Sequence, residues 1–266
     1  MLAPGFMQGQ RTEGPHIRRL ELTSKHGELF CRIPVVPAVS AGISLAAAGD
    51  MALSRERVLP HRGRLRDLLG IPLQRWYGAR QVHSQRVLVV DGKDTEEVAR
   101  EEADGLLTTD AGAALSVTVA DCLPIYLADR RTGAFGVVHS GWKGTGIVRE
   151  ALQVLARRFG SRPSDVTAVI GPGIGACCYT VPQERAEVFA ARYGSAVVAR
   201  EPSGPRLDLR EANLVLLREA GVADVSVVND CTSCSPSLGS YRRQGPAAYT
   251  LMLAWIAGPG AAAGRP

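Results

Sequence analysis

Lysine is almost missing from this chain, with 3 residues against 28 arginines in 266. Aromatic residues make up only 5% of it. A nucleic-acid groove needs a clustered basic face, commonly interleaved with stacking rings. Here the arginines are scattered, so the net charge of +5 points to a mild attraction for small anionic substrates and away from nucleic acid. No apolar run is long enough to cross a bilayer. Met1 to Pro15 carry Pro, Gly, Gln and Arg in place of a continuous apolar stretch, so no secretory signal is expected. Histidine is scarce too, with 5 in the chain. That leaves room for one imidazole-rich mononuclear metal site, but not for a set of copper centres that each need several imidazoles.

What is present fits an ordinary folded protein. Apolar residues make up 45% and charged residues 21%, enough for a sizeable core. The cysteines are Cys31, Cys122, Cys177, Cys178, Cys231 and Cys234. In a chain of this length without a secretion signal, they read as free thiols or metal ligands in a cytoplasmic protein. Cys177 and Cys178 are adjacent and do not easily bridge each other. Cys231-x-x-Cys234 suits half of a zinc site or a redox pair, but there is no second such motif and no thioredoxin context. Incidental thiols are the expectation for that pair.

Residues 1–15 and 258–266 read as loose tails around a single domain spanning 16–257. Strand patterns fall at Ile17–Leu22, Ala114–Val119, Pro124–Ala128, Ala134–Val138, Val166–Ile170, Val225–Val228 and Tyr249–Ile256. Arg75–Gln81 and Arg86–Val90 are shorter apolar runs, and Val35–Ser44, broken by Pro and Gly, reads as loop or edge. Helical spacing marks Ser54–Leu69 and Thr95–Glu102, and most clearly the helix of Ile147, Val148, Ala151, Leu152, Leu155 and Phe159, stopped by Gly160. Further helices run from Pro182 to about Tyr193 and from Glu211 to Ala220. Several neighbouring strands lack a helix between them, which predicts mixed sheets, not a purely parallel one.

Three chemical features stand at strand ends: His83, the Asp121-Cys122 pair, and His139. Two imidazoles and a thiolate suit a zinc site with an open fourth position. The separations hold no close ligand pair, and the same residues fit two satisfied polar histidines and a small buried cysteine equally. Gly141-Trp142-Lys143-Gly144-Thr145-Gly146 opens the clearest helix. It suits phosphate at a helix N-terminus, or a plain tight turn. Gly171-Pro172-Gly173-Ile174-Gly175 lacks the helix that a dinucleotide motif demands and reads as backbone supporting a site.

Taken in order, these residues resemble a known family. Gln81-Val82-His83, Ala103-Asp104-Gly105-Leu106-Leu107-Thr108, Ala120-Asp121-Cys122-Leu123-Pro124 and Val138-His139-Ser140-Gly141-Trp142-Lys143-Gly144 look like the laccase-domain family. That family is also called the multicopper polyphenol oxidase family and is described as purine nucleoside phosphorylase with adenosine deaminase activity. Ile170 to Tyr179, Leu207-Asp208-Leu209, Cys231-Thr232 and Ser240-Tyr241-Arg242-Arg243 extend the match in the same order. The chain departs from the family pattern at Ser44-Leu45-Ala46-Ala47-Ala48-Gly49, at His61-Arg62, and around Ala248, where the family's arginine is missing.

The resemblance implies that His83, Cys122 and His139 ligate zinc. With the element order, it implies an α+β fold of two mixed β-sheets packed as a sandwich, with helices on the outer faces. The expected partners are a purine nucleoside and phosphate, handled by a monomer or homodimer, with neither nucleic acid nor membrane. For deamination, hydroxide activated by zinc attacks the purine carbon bearing the amine. For phosphorolysis, Lys143 and Arg242 or Arg243 are candidates to neutralise phosphate. Asp121 is a candidate proton carrier, although a regular strand would point it away from Cys122. A cysteine hydrolase with Cys122 as nucleophile and His139 or His83 as base uses the same residues. So does copper oxidation of phenols, but that chemistry needs further copper centres.

Overall fold

The computed structural model describes residues 16–22, 28–52 and 60–262. The expected tails at 1–15 and 263–266, His26, and the first part of the helix expected from Ser54 lie outside those residues. Strands β1–β14 and helices α1–α6 are numbered in chain order. The larger sheet has seven strands, in the order β1 (His16–Leu20), β13 (Asp224–Val228), β10 (Val166–Ile170), β8 (Leu123–Asp129), β9 (Phe135–Ser140), β6 (Gly105–Thr108) and β5 (Val87–Val89). The smaller has five: β2 (Phe30–Arg32), β3 (Ser40–Ser44), β14 (Met252–Ala257), β7 (Ala114–Val119) and β4 (Trp76–Tyr77). Both mix parallel and antiparallel pairs. A short hairpin, β11 (Val198–Glu201) with β12 (Gly204–Leu207), stands apart.

Burial explains the layering. Leu115, Val117, Met252, Ala254 and Ile256 of the smaller sheet pack against Leu106, Tyr126, Phe135, Val137 and Val169 of the larger. Alternate residues of the same strands face outward, so each sheet needs a second cover. On the larger sheet that cover is α3 (Ile147–Phe159), α4 (Gln183–Tyr193) and α5 (Leu209–Glu219). On the smaller sheet it is α1 (Pro60–Leu69), which lays Leu65 near Trp76 and Trp255. Two short helices complete the set, α2 (Thr95–Arg100) and α6 (Tyr241–Gln244). The expected sandwich of mixed sheets with outer helices is the observed fold.

Local chemistry fixes the helix ends. Gly160 takes a left-handed conformation (φ 67°) and closes α3 where expected. α5 starts at Leu209, because the Asp208 carboxylate accepts the Arg210 and Glu211 amides at 2.9 and 3.0 Å. Two sequence expectations change. Val35–Ser44 ends in β3, an inner strand between β2 and β14 and not an edge. Residues 258–262 are not loose: the Gly258 and Gly260 amides bond Ala113 and Ala111 carbonyls, and Ala261 is fully buried.

Candidate metal centre and substrate cavity

β8 and β9 form an antiparallel hairpin in which Pro124 pairs with His139. This register places His139 inside β9, fully surrounded, next to the bend that joins β7 to β8. Cys122 lies on that bend. Asp121, on the same bend, adopts a left-handed conformation (φ 88°). His83 does the same (φ 60°), and among the described residues no other non-glycine has a positive φ. Such backbone is costly and persists where surrounding contacts impose it. The irregular backbone that Asp121 needs in order to face the site is therefore present.

The ligand atoms of His83, Cys122 and His139 lie within 4.8 Å of one another. The two imidazoles meet edge to face, with ring centroids 4.8 Å apart. Gly141 makes room for the thiol, since a Cβ there would stand 2.6 Å from Cys122 Sγ.

Asp104, wholly buried on β6's approach, organises the set. Its carboxylate accepts the backbone amides of Val82, His83 and Ser84 at 3.2, 3.0 and 2.7 Å, and the Ser84 hydroxyl at 2.8 Å. It also accepts His139 Nδ1 at 2.8 Å. Nδ1 thus donates to the carboxylate, and Nε2 is the nitrogen left for a metal. Burial works to lower the His139 pKa, but Cys122 and Asp104 raise it to about 9, so a metal must displace a proton to bind there. Burial works to raise the Asp104 pKa, but these hydrogen bonds and the His139 charge win and hold it at about 2. Burial likewise pushes the Cys122 thiol up, yet His139 and His83 pull it down to about 7. In the sequence Asp104 stands only within the motif Ala103–Thr108, with no role attached to it. The available signal was an acidic residue immediately before an apolar strand, where an unpaired carboxylate is costly.

The donor set fits zinc. Two imidazoles and an acidified thiol supply three ligands, and the triad lines a cavity of about 530 Å³ that leaves room for a fourth. Its walls also include Trp142, Tyr179, Arg185, Tyr241, Arg242 and Tyr249. Asp121 lines it as well, with one carboxylate oxygen accepting the Thr232 hydroxyl at 2.6 Å and the other the Arg242 amide at 2.7 Å. Ile174 donates its amide to the Asp121 carbonyl at 2.8 Å, so the Gly-rich run does support the bend.

The structure separates the basic candidates. Arg242 lines the cavity, while Arg243 is turned away and donates to the carbonyls of Thr232, Ser233, Ser235 and Leu238. Lys143 is not among the residues lining this cavity; its ammonium lies 5.4 Å from the Trp142 ring centre, and it lines the neighbouring cleft, which shares Trp142 and Arg185 with this one. Arg185 does line it, stacked 3.9 Å over the Trp142 ring. Arg185 lies on α4, 42 residues beyond Lys143 in the chain, so no local motif announces it. Gly144, Thr145 and Gly146 form a tight turn packed on residues 83–85 and do not line the cavity. Ala46, His61 and Ala248, where the chain departs from the family pattern, do not line it either.

The family model described as multi-copper polyphenol oxidoreductase laccase matches residues 42–257. Purine nucleoside phosphorylase YlmD of Geobacillus stearothermophilus is 35% identical over 249 residues, covering 88% of this chain and 88% of that protein. Purine nucleoside phosphorylase BQ2027_MB2173C of Mycobacterium bovis is 36% identical over 202 residues, covering 75% and 79%. The crystal structure of YlmD from Geobacillus stearothermophilus superposes with a TM-score of 0.80 at 30% identity, over 90% of this chain and 99% of that one. The chain belongs to the multi-copper polyphenol oxidoreductase laccase family, whose relatives named here are called purine nucleoside phosphorylases.

Proposed function

We propose that this enzyme is a zinc-dependent purine nucleoside phosphorylase that also deaminates adenosine. The observation that carries the reading is the Asp104–His139 pair, which aims a histidine nitrogen at Cys122 and His83 beneath a cavity holding both aromatic rings and arginines. His83, Cys122 and His139 would hold zinc, which would supply Lewis acidity toward a substrate oxygen or water. Asp104 keeps the His139 proton on Nδ1 throughout. Trp142, Tyr241 and Tyr249 offer faces and edges for a purine, with Tyr241 and Tyr249 already in edge contact at 5.1 Å. Arg185 and Arg242 bring the two positive charges that a phosphate needs as it meets the sugar carbon. Asp121 is the proposed proton carrier on the wall, its carboxylate positioned by the Thr232 hydroxyl and the Arg242 backbone amide.

The test is nucleoside turnover with phosphate present and absent. Base released only with phosphate supports phosphorolysis, and inosine plus ammonia from adenosine supports deamination. No turnover of adenosine, inosine or guanosine in either condition would contradict the reading.

The acidified Cys122 thiol beside His139 favours one second reading, a cysteine hydrolase with Cys122 as nucleophile. Full activity after complete removal of metal would select it. The copper-oxidase reading has less support: the imidazoles of the site are His83 and His139 alone, where oxygen reduction needs several copper centres. Several tightly bound coppers per chain would restore it.

A further inference from the structure

The sequence contains one Cys-x-x-Cys and no second, which made incidental thiols the expectation for Cys231 and Cys234. The fold sets a second pair beside them. The adjacent pair Cys177-Cys178 supplies the other half, and all four sulfurs lie within 4.8 Å of one another. Cys234 Sγ is 3.6 Å from Cys177 Sγ and 3.4 Å from Cys178 Sγ. These separations are far beyond the ~2.05 Å of a disulfide. Four thiolates at about 2.3 Å from a central zinc stand about 3.8 Å apart. We infer that Cys177, Cys178, Cys231 and Cys234 form a second metal site, a structural four-thiolate zinc centre distinct from the His83–Cys122–His139 triad.

The surroundings suit a centre of net negative charge. The Gly175 amide donates to Cys231 Sγ at 3.2 Å. Cys231 begins a turn in which the Cys234 and Ser235 amides both bond its carbonyl, at 3.1 and 3.0 Å. Arg210 brings a buried positive charge to the same place. Its Nη1 and Cys177 Sγ both lie 3.1 Å from the point where a Gly175 Cβ would stand. Its Nη2 donates to the carbonyls of Gly173 and Asp230, at 2.7 and 2.6 Å, while its buried Nε has no hydrogen-bond partner. A buried guanidinium is expensive unless nearby anions offset it, and since Asp208 and Asp230 act on Arg210 without forming an ion pair with it, a further anion has a role. Four thiolates around a divalent ion, with a net charge of −2, provide one.

The position gives the centre its purpose. It ties the loop after β10 to the loop after β13, which otherwise meet through the Gly173–Cys231 bridge and the Thr232 amide bonded to the Gly173 carbonyl at 3.1 Å. Both loops end in cavity contacts. Arg242 Nη1 donates to the Cys178 carbonyl at 2.9 Å, and Thr232, next to Cys231, holds Asp121. The staple therefore fixes the wall that carries Arg242 and Asp121, without touching substrate. The site is closed, with four protein ligands, as structural zinc sites are.

The experiment is metal analysis of the full chain beside two variants. Two zinc ions per chain are expected in the unsubstituted protein, one in the Cys231→Ser/Cys234→Ser double variant, and one in Cys122→Ala. Cobalt(II) loaded into metal-free protein should give intense thiolate-to-metal absorption, of which the double variant keeps only the single-thiolate share from Cys122 and Cys122→Ala keeps most. Should the double variant fail to fold, thiol titration of the unsubstituted protein decides. The exposed Cys177 and Cys234 should resist a thiol reagent until a strong chelator is added, then react. One zinc per chain, lost in Cys122→Ala, would overturn the inference. So would immediate reaction of these thiols before chelation, or a mass two hydrogens short that shows a disulfide.

Discussion

The chemistry of this protein is decided by a few residues whose importance lies in what they hold. His83, Cys122 and His139 were visible as reactive types at strand ends, but their meeting was not, because 39 and 17 residues separate them. Asp104 was less legible still. Its role depends on five donors converging on one buried carboxylate, and those donors come from residues 82–84 and 139. Asp104→Asn keeps the volume but ends the charge that orients His139. Second partners of this kind typically change metal affinity 10–100-fold. Zinc competition titration should show a loss of about that size at the triad, with the cysteine centre unaffected; unchanged affinity would remove Asp104 from the account. Arg185 makes a separate claim. A charge-assisted contact is worth ~1.5–3 kcal/mol, so Arg185→Ala should raise the KM for phosphate at least about tenfold. The KM for nucleoside should move less, and equal changes in both would point to a collapsed cavity instead.

Elements were legible in proportion to how much of their pattern is local. α3 and β10 could be bounded from the sequence because an apolar helical stripe ends at a glycine, and because Val166–Ile170 is buried along its whole length. β2, β6 and the β11–β12 hairpin are short and owe their form to the partners they pair with, so no periodicity announced them. β3 is the instructive case. Its glycine suggested a break, yet Gly42 is there because Trp255 needs the space: a Cβ would lie 2.5 Å from the indole and 2.6 Å from the Cys31 carbonyl. The indole, in turn, is what the outer face of the smaller sheet packs with Phe30 and α1. Gly42→Val should therefore destabilise the protein by ~1–3 kcal/mol through overpacking. Urea unfolding of zinc-loaded protein measures this, and an unchanged midpoint would show that the layer yields where close packing says it cannot.

At the scale of the molecule, two sheets and their covering helices bring one open metal centre, one closed cysteine centre and an arginine-walled cavity to neighbouring loops. The scarcity of histidine fits a single imidazole cluster, the triad, among the described residues. It did not bound the cysteines, whose grouping needs loops from two separate strands. The excess of arginine has a consequence for the whole surface as well. Exposed charges are screened over ~8 Å at physiological ionic strength against ~30 Å at 0.01 M. With a net charge of +5, capture of anionic phosphate should weaken as salt rises, while capture of neutral nucleoside should not. Steady-state kinetics at graded potassium chloride should show the phosphate KM rising alone.

The central claim is that zinc on His83, Cys122 and His139 is needed for phosphate-dependent cleavage of purine nucleosides. One measurement addresses it: zinc content and inosine phosphorolysis followed together in the unsubstituted enzyme, in Cys122→Ala, and after complete chelation with zinc restored. The account predicts that activity and the triad zinc disappear together in the variant and under the chelator, and return together only when zinc is added to the unsubstituted chain. Full phosphorolysis by metal-free protein would contradict it.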